Sequence, residues 1–290
     1  MIKIGIFGSD YQLEKLSQIK RVFEHLQQLN MEVWVEKAFY LYLHTNLCYE
    51  PPITGLIETT DFHVDIALSI GGDGTFLRTA ALVGSKEIPI LGINTGRLGF
   101  LADVSPIEIE DTLNDVFKNH YYTKERTLLH LKTEAPTTIY NHALNEIAIQ
   151  KRDTSSMIKI SAFINDEYLT TYQGDGLIIA TPTGSTAYSI SVNGPIITPQ
   201  AKVLVLSPIA PHSLNVRPLV IPEDSRLSFE VESRSGNFLV AVDGNSEAFS
   251  SGSKFTIEKA DFSIKIIKRY HHTFYKTLRD KLMWGADSRL

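Results

Sequence analysis

The chain has 290 residues, 43% of them hydrophobic, with 28 Lys and Arg against 33 Asp and Glu for a formal charge of −5. That length buries one large core or two smaller ones, and the acidic balance excludes a general nucleic-acid binder, whose basic face needs surplus Lys and Arg. The single cysteine, Cys48, excludes an internal disulfide and fits a cytoplasmic compartment, and no apolar run reaches the ~20 residues that span a bilayer.

Residues 2–7 read as a first apolar strand, too short and too soon interrupted for a signal peptide. Leu13, Leu16, Ile19, Val22, Phe23, Leu26 and Leu29 follow at helical spacing. Further strands are predicted at 31–35, 65–70 and 88–93, while 40–60, with Pro51-Pro52 and Gly55, reads as an irregular segment. Residues 107–117 are amphipathic and open on Ser105-Pro106. Alternating strands and helices imply a Rossmann-like α/β domain with a mostly parallel sheet, over residues 1–125. From about 127 the helical period disappears. Short β-type runs are predicted at 128–133, 143–150, 158–164, 168–172, 177–180, 203–206, 227–231, 238–242, 255–258 and 262–268. Asn165-Asp166 marks a hairpin between two of them. Such a series implies an all-β, sandwich-like domain over 126–271. Residues 273–284 turn helical again through Phe274, Leu278 and Leu282, so 272–290 are expected to return to the first domain. Trp34 and Trp284 read as packing residues, and His271-His272 as a surface or interface pair.

The run Ser69-Ile70-Gly71-Gly72-Asp73-Gly74-Thr75 joins a buried-looking strand to an apolar helix. Glycines there let the backbone take positive φ and let a ligand approach closely. Amides at a helix N-terminus suit an anion, with phosphate the first choice. Asp73 then handles a metal or a proton, or only caps the helix; the plainer alternative for the whole run is a glycine-rich turn. A second turn, Gly92-Ile93-Asn94-Thr95-Gly96-Arg97-Leu98-Gly99-Phe100-Leu101, follows the next strand. Open parallel sheets deliver ligands at the carboxyl ends of their strands, so the two turns form one rim if their strands are neighbours. Its alternative is a tight left-handed bend. Gly5-Ile6-Phe7-Gly8 does not complete a dinucleotide fingerprint, which argues against a dehydrogenase. Asn145-Glu146, Gly174-Asp175-Gly176 and Val242-Asp243-Gly244-Asn245 each read alone as surface pairs or turns. The hydroxyls and free amides of Thr181-Pro182-Thr183-Gly184-Ser185-Thr186-Ala187-Tyr188, ahead of a helix-like 187–191, suit a sugar, a base or a phosphate.

In order, these motifs resemble those of NAD kinases across nearly the whole chain. The resemblance continues through Gly194-Pro195-Ile196, Pro208-Ile209-Ala210-Pro211-His212-Ser213-Leu214, Arg217-Pro218-Leu219-Val220 and Asp243-Gly244. The first motif is shared with lipid kinases and phosphofructokinases, whereas the threonine/serine cluster followed by Gly-Pro and Pro-His-Ser-Leu is specific to NAD kinases. The resemblance implies Mg²⁺-dependent transfer of the ATP γ-phosphoryl group to the 2′-hydroxyl of the adenosine ribose of NAD. It implies Asp73 as catalytic base, and Gly71, Gly72, Gly74, Thr75 and Arg78 around the ATP phosphates, Arg78 being equally readable as a solvent-exposed helix residue. NAD would meet Asp73, Gly74, Asn145, Glu146, Thr186, Ala187, Tyr188, Ser189, Ile190 and Ser191. Asp175 and Ala210 would complete the pocket, from a neighbouring subunit of a homodimer or homotetramer, with Asn245 a weaker contact. No metal site is fixed by the protein alone; Mg²⁺ would arrive with ATP, near Asp73. Two departures stand out: Val192-Asn193 where small residues are expected, and Asn245 where glutamine or histidine is common. A carboxylate at a helix N-terminus has its charged form favoured, which weakens it as a base and leaves orientation of the hydroxyl as its alternative role. The competing readings are a lipid (diacylglycerol or sphingoid) kinase, which needs a membrane-facing surface, and a non-catalytic NAD(P)-binding sensor.

Overall fold

A computed structural model describes residues 2–9, 15–96, 98–134, 136–153, 156–270 and 272–285, so Leu13, Arg97 and His271 lie outside the described residues. Two compact units divide the chain: Met1–Glu125 with Ile264–Leu290, and Arg126–Ser263. Residues 264–271, grouped with the second domain from the sequence, fall in the first unit.

The first unit runs β1 (Lys3–Gly8), α1 (Leu16–Gln28), β2 (Glu32–Glu36), α2 (Lys37–Leu47), β3 (Gly55–Ile57), β4 (Ile66–Gly71), α3 (Asp73–Val83), β5 (Ile90–Asn94) and α4 (Ile109–Phe117). Its strands pair in parallel in the order β3-β2-β1-β4-β5. β4 is buried at every position, as a strand with both faces covered must be, and this explains its largely apolar sequence, interrupted only by Ser69. α1 buries Ile19, Val22, Phe23 and Leu26 at the predicted spacing. α4 follows a 3₁₀ turn in which Ser105 and Glu108 form a capping box.

The segment 40–60 corrects the sequence reading, because most of it is regular. α2 buries Phe39, Tyr42 and Leu43 at helical spacing, but half-buried Tyr40 and exposed Leu41 make the apolar run 38–43 continuous and smear the period. Cys48, at φ 48°, closes the helix in a left-handed cap. β3 is three residues long, too short for alternation to register.

The second unit contains β6 (Tyr122–Thr133, entering from the first unit), β7 (His142–Ala143), β8 (Glu146–Lys151), β9 (Ile158–Ile164), β10 (Glu167–Gly174), β11 (Gly176–Ala180), β12 (Val203–Ile209), β13 (Leu219–Pro222), β14 (Leu227–Glu232), β15 (Asn237–Val242), β16 (Asn245–Ser250) and most of β17 (Lys254–Lys268). One sheet orders β13-β12-β11-β8-β15-β16, and β10-β9-β14-β17 belong to the other. Between them lies a core of residues such as Ile147, Ile149, Ile160, Leu177, Phe229 and Phe238. Alternate residues Ala148, Ile178, Ala180 and Val205 face outward, under Val192 and Ile197 of the segment after β11. β11 is therefore buried on both faces. Asn165 and Asp166, at φ 50° and 67°, turn β9 into β10 as predicted. β16 is an edge strand exposed at alternate positions, and its Ser- and Glu-rich sequence hid it from pattern reading.

The last residues of β17 return to the first unit, where Ile266 pairs with Ile90. There Lys268 Nζ lies 2.5 Å and His272 Nδ1 3.2 Å from Asp103 Oδ2. Burial pushes the Asp103 carboxyl up, but the Lys268 ammonium and the His272 hydrogen bond outweigh it and bring it down to about 2. His272 is thus a half-buried partner of the Asp103 carboxylate rather than a surface residue. α5 (Phe274–Leu282) begins on Thr273, whose hydroxyl accepts the Lys276 amide. Trp284, beyond it, is 57% exposed, which corrects its reading as a packing residue. Trp34 does pack, with its ring against Gly55.

Candidate active site

In the first unit the chain turns outward in opposite directions from β1 and β4, so the crevice at their carboxyl ends is the topological switch point of the sheet. Gly8 ends β1 opposite Ile70 of β4, and Gly71 ends β4 one residue further on. A cavity of about 350 Å³ opens there, lined by Gly8, Ser9, Phe39, Gly74, Thr75 and Arg78 among others. The glycines of the first motif differ in kind. Gly71 has φ 155°, and a Cβ there would collide with the Thr75 side chain. Gly72 and Gly74 have nothing within 4 Å of where a Cβ would stand, so the fold does not require either. Arg78 lines the cavity, with its guanidinium committed to the Glu36 carboxylate and the Gly8 carbonyl.

Asp73 is the first residue of α3. Its Oδ1 accepts the amides of Leu101 and Ala102, each at 3.0 Å. Its Oδ2 accepts the Phe100 amide at 2.9 Å and the Lys281 ammonium at 3.0 Å. The second glycine-rich turn, which follows the neighbouring strand β5, thus folds over the first and forms the expected rim. Gly99 makes this approach possible, since a Cβ there would overlap Asp73 Oδ1. Burial pushes the Asp73 carboxyl up, but the Ala102 amide, the Lys281 ammonium and the Phe100 amide outweigh it and hold it below its ordinary value. Asp73 is therefore an anchored, ionised carboxylate.

In the second unit Asp243, in the turn between β15 and β16, holds the start of β8. Its Oδ2 accepts the Leu144 amide at 2.7 Å and its Oδ1 the amides of Asn145 and Glu146 at 2.9 and 3.0 Å. From the other side Thr181 donates its amide to the Asn145 carbonyl and its hydroxyl to the Leu144 carbonyl. Gly184 packs on the Asn145 backbone so closely that a Cβ would overlap the carbonyl. The Glu146 carboxylate accepts the Tyr188 amide, while its Oε2 is buried with no partner among the described residues. Burial first, and the Asp243 charge second, push this carboxyl up to about 8 against the pull of the Tyr188 amide. That Oε2 oxygen is left available to a water or a ligand.

The second unit thus brings Asn145, Glu146 and Tyr188 together, with Asn245 exposed beside the Asp243 turn. Thr186 through Ser191 form two 3₁₀ turns, not an α-helix. Ser189 is buried against Ser207, their hydroxyls 2.9 Å apart, so it supports the segment from beneath. Asp175 and Ala210 lie at the opposite end of the strands: Ala180 pairs with Glu146, but Gly176 pairs with Gln150 and Ile209. Four residues of strand put roughly 13 Å between the two ends. Asp175 there pairs with Lys151 at 2.7 Å. The unusual Asn193 has φ 64°, a left-handed conformation that asparagine tolerates and that small residues would also meet. Sequence reading left out the anchoring role of Asp243, which looks like any Asp-Gly turn, and Lys281, one of several basic residues of α5 with nothing to mark it. Among the described residues no group of three or more His, Cys, Asp or Glu is placed to hold a metal.

The ATP-NAD kinase N-terminal domain family matches residues 4–121, and the ATP-NAD kinase C-terminal domain family residues 144–269. An NAD kinase of Bacteroides fragilis strain YCH46 is 53% identical over 290 residues, and one of Porphyromonas gingivalis strain ATCC 33277 is 45% identical over 289, each match covering 100% of both chains. Among solved structures, an NAD kinase from Archaeoglobus fulgidus in complex with ATP superposes with a TM-score of 0.75 at 26% identity, covering 98% of each chain. A yeast NADH kinase complexed with NADH shares the fold, with a TM-score of 0.90 at 23% identity over 100% of this chain and 89% of that one. A full-length match of this kind leaves no place for the lipid-kinase reading, and the chain belongs to the NAD kinase family.

Proposed function

We propose that this phosphotransferase moves the γ-phosphoryl group of ATP to the 2′-hydroxyl of the adenosine ribose of NAD, giving NADP and ADP. The observation that carries the assignment of the chemistry is Asp73, ionised and fixed by three amides at the carboxyl end of β4. Phosphoryl transfer needs an aligned hydroxyl and neutralised phosphates more than covalent help. Gly72 and Gly74, open above the α3 N-terminus, let phosphate oxygens reach the free amides. Asp73 orients the ribose hydroxyl and takes its proton late, as suits a carboxylate held below its ordinary basicity. In the second unit Glu146 Oε2 and the Asn145 amide receive the dinucleotide's hydroxyls. The position of Asp175 and Ala210, remote from Glu146 along the same strands, supports their serving a neighbouring subunit's pocket in a homodimer or homotetramer.

The donor set suits Mg²⁺ carried by ATP rather than a resident ion. The single anchored carboxylate of Asp73 fits an ion that keeps waters and phosphate oxygens. Arriving with ATP, Mg²⁺ would supply neutralisation of phosphate charge, and Asp73 is the carboxylate that would help to hold it. A coupled assay of NADP formation from NAD, ATP and Mg²⁺ tests the reading. Steady turnover abolished by EDTA and restored by Mg²⁺ is expected; folded protein that binds NAD yet forms no NADP would favour the sensor instead.

A further inference from the structure

Asp73 is held by more than its own loop. A carboxylate has about four acceptor positions, and here the amides of Phe100, Leu101 and Ala102 fill three. The fourth is taken by the Lys281 ammonium, supplied by α5 from 208 residues further along the chain. The same ammonium lies 4.7 Å from the centre of the Phe100 ring, and Phe100 in turn meets Phe274 of α5 at 6.1 Å. α5 therefore grips both the carboxylate and the loop that anchors it. A nine-residue helix is not stable by itself, and α5 buries little besides Thr277 and Leu278. Its place thus depends on the Asp73 and Phe100 contacts as much as theirs depends on it.

We propose that Lys281 is a positioning residue for phosphoryl transfer: it fixes the Asp73 carboxylate and the Phe100–Ala102 loop in the orientation that the ribose hydroxyl meets. This rests on the role of Asp73 given above. Of the four donors, the ammonium is the one on a flexible stem, so it can yield to an arriving hydroxyl while the loop amides keep the carboxylate aimed. A surface staple that only holds the chain end would leave the chemistry untouched, and that difference is measurable.

The experiment is a double-mutant cycle of Lys281→Met with Asp73→Asn, beside Lys281→Arg, with kcat and both KM values measured and amide exchange followed at Phe100, Leu101 and Ala102. Lys281→Met is expected to lower kcat about tenfold, a loss on the order of 1.4 kcal/mol in transition-state stabilisation. The KM values for ATP and NAD stay within about twofold and the three amides exchange faster, since the lost contact supports orientation rather than binding. Lys281→Arg, which keeps the cation, recovers most of the rate. With Asp73→Asn already present, Lys281→Met costs less than about twofold, because the two residues act through one contact. Unchanged or increased kcat in folded Lys281→Met, unchanged exchange, or an equal loss with and without Asp73 would overturn the inference. Wild-type activity in Asp73→Asn alone would instead overturn the role of Asp73, so the two failures are distinguishable.

Discussion

Replacing Glu146 by glutamine is expected to make the protein more stable, increasingly so as pH rises. Burial and the neighbouring Asp243 push the Glu146 carboxyl from 4.5 to about 8. Between those values the folded chain keeps a proton that the unfolded chain has lost, so stability falls as pH rises. The contribution is whole below about 4.5 and gone above about 8, and a displacement of that size carries at most about 5 kcal/mol. Glu146→Gln keeps the shape and removes the titration. It should therefore differ from wild type by under about 1 kcal/mol at pH 5 and exceed it by about 2–5 kcal/mol at pH 9. Urea unfolding of both proteins at pH 5, 7 and 9 measures the difference directly. An offset independent of pH would refute the argument, because it would mean that Glu146 ionises in the folded chain as readily as in the unfolded one.

Gly74→Ala separates the fold's needs from the ligand's. With nothing within 4 Å of the new Cβ and a helical position to occupy, it should melt at or above the wild-type temperature, since alanine is favoured over glycine in a helix by roughly 0.5–1 kcal/mol. Its KM for ATP should nevertheless rise at least about tenfold if phosphates occupy that space; an unchanged KM would remove Gly74 from the phosphate site. Gly99→Ala does the reverse, pushing on Asp73 Oδ1. Overpacking of this kind costs about 1–3 kcal/mol, and kcat should fall with little change in either KM, whereas full activity would show that the anchored carboxylate position is not needed. Gly184→Ala presses on the Asn145 carbonyl, so its effect should appear in KM for NAD and leave KM for ATP alone; an equal rise in both would contradict the division of roles between the two units.

Much of the fold was legible because its patterns were local. The 3.6-residue period of α1, the short apolar strands β1, β4 and β5, and the Asn165-Asp166 turn each state their structure within a few residues. α2 was not legible, since apolar residues on all its faces erase the period, and β16 was not because a polar edge strand shows no buried face. At the site, the glycine-rich turn stood out by its place between strand and helix, whereas Asn145-Glu146 stood out only by resemblance. What fixes them did not stand out. Asp243 reaches back 97 to 99 residues to the amides it holds, and Lys281 reaches back 208 to Asp73. Such contacts depend on topology, and nothing in the local sequence around a single aspartate or lysine records them. The glycines make the same point, because only their surroundings tell Gly71 and Gly99, which the fold requires, from Gly72 and Gly74, which it leaves open to a ligand.

The most direct measurement is NADP formation by Asp73→Asn beside wild type at saturating NAD, ATP and Mg²⁺, with matching thermal melts to establish the fold. The account predicts a fall in kcat of at least ~10²-fold, the low end of what proton handling by a positioned group supplies. A loss of only a few-fold, with unchanged Mg²⁺ dependence, would contradict it and place the phosphoryl-transfer chemistry away from the α3 N-terminus.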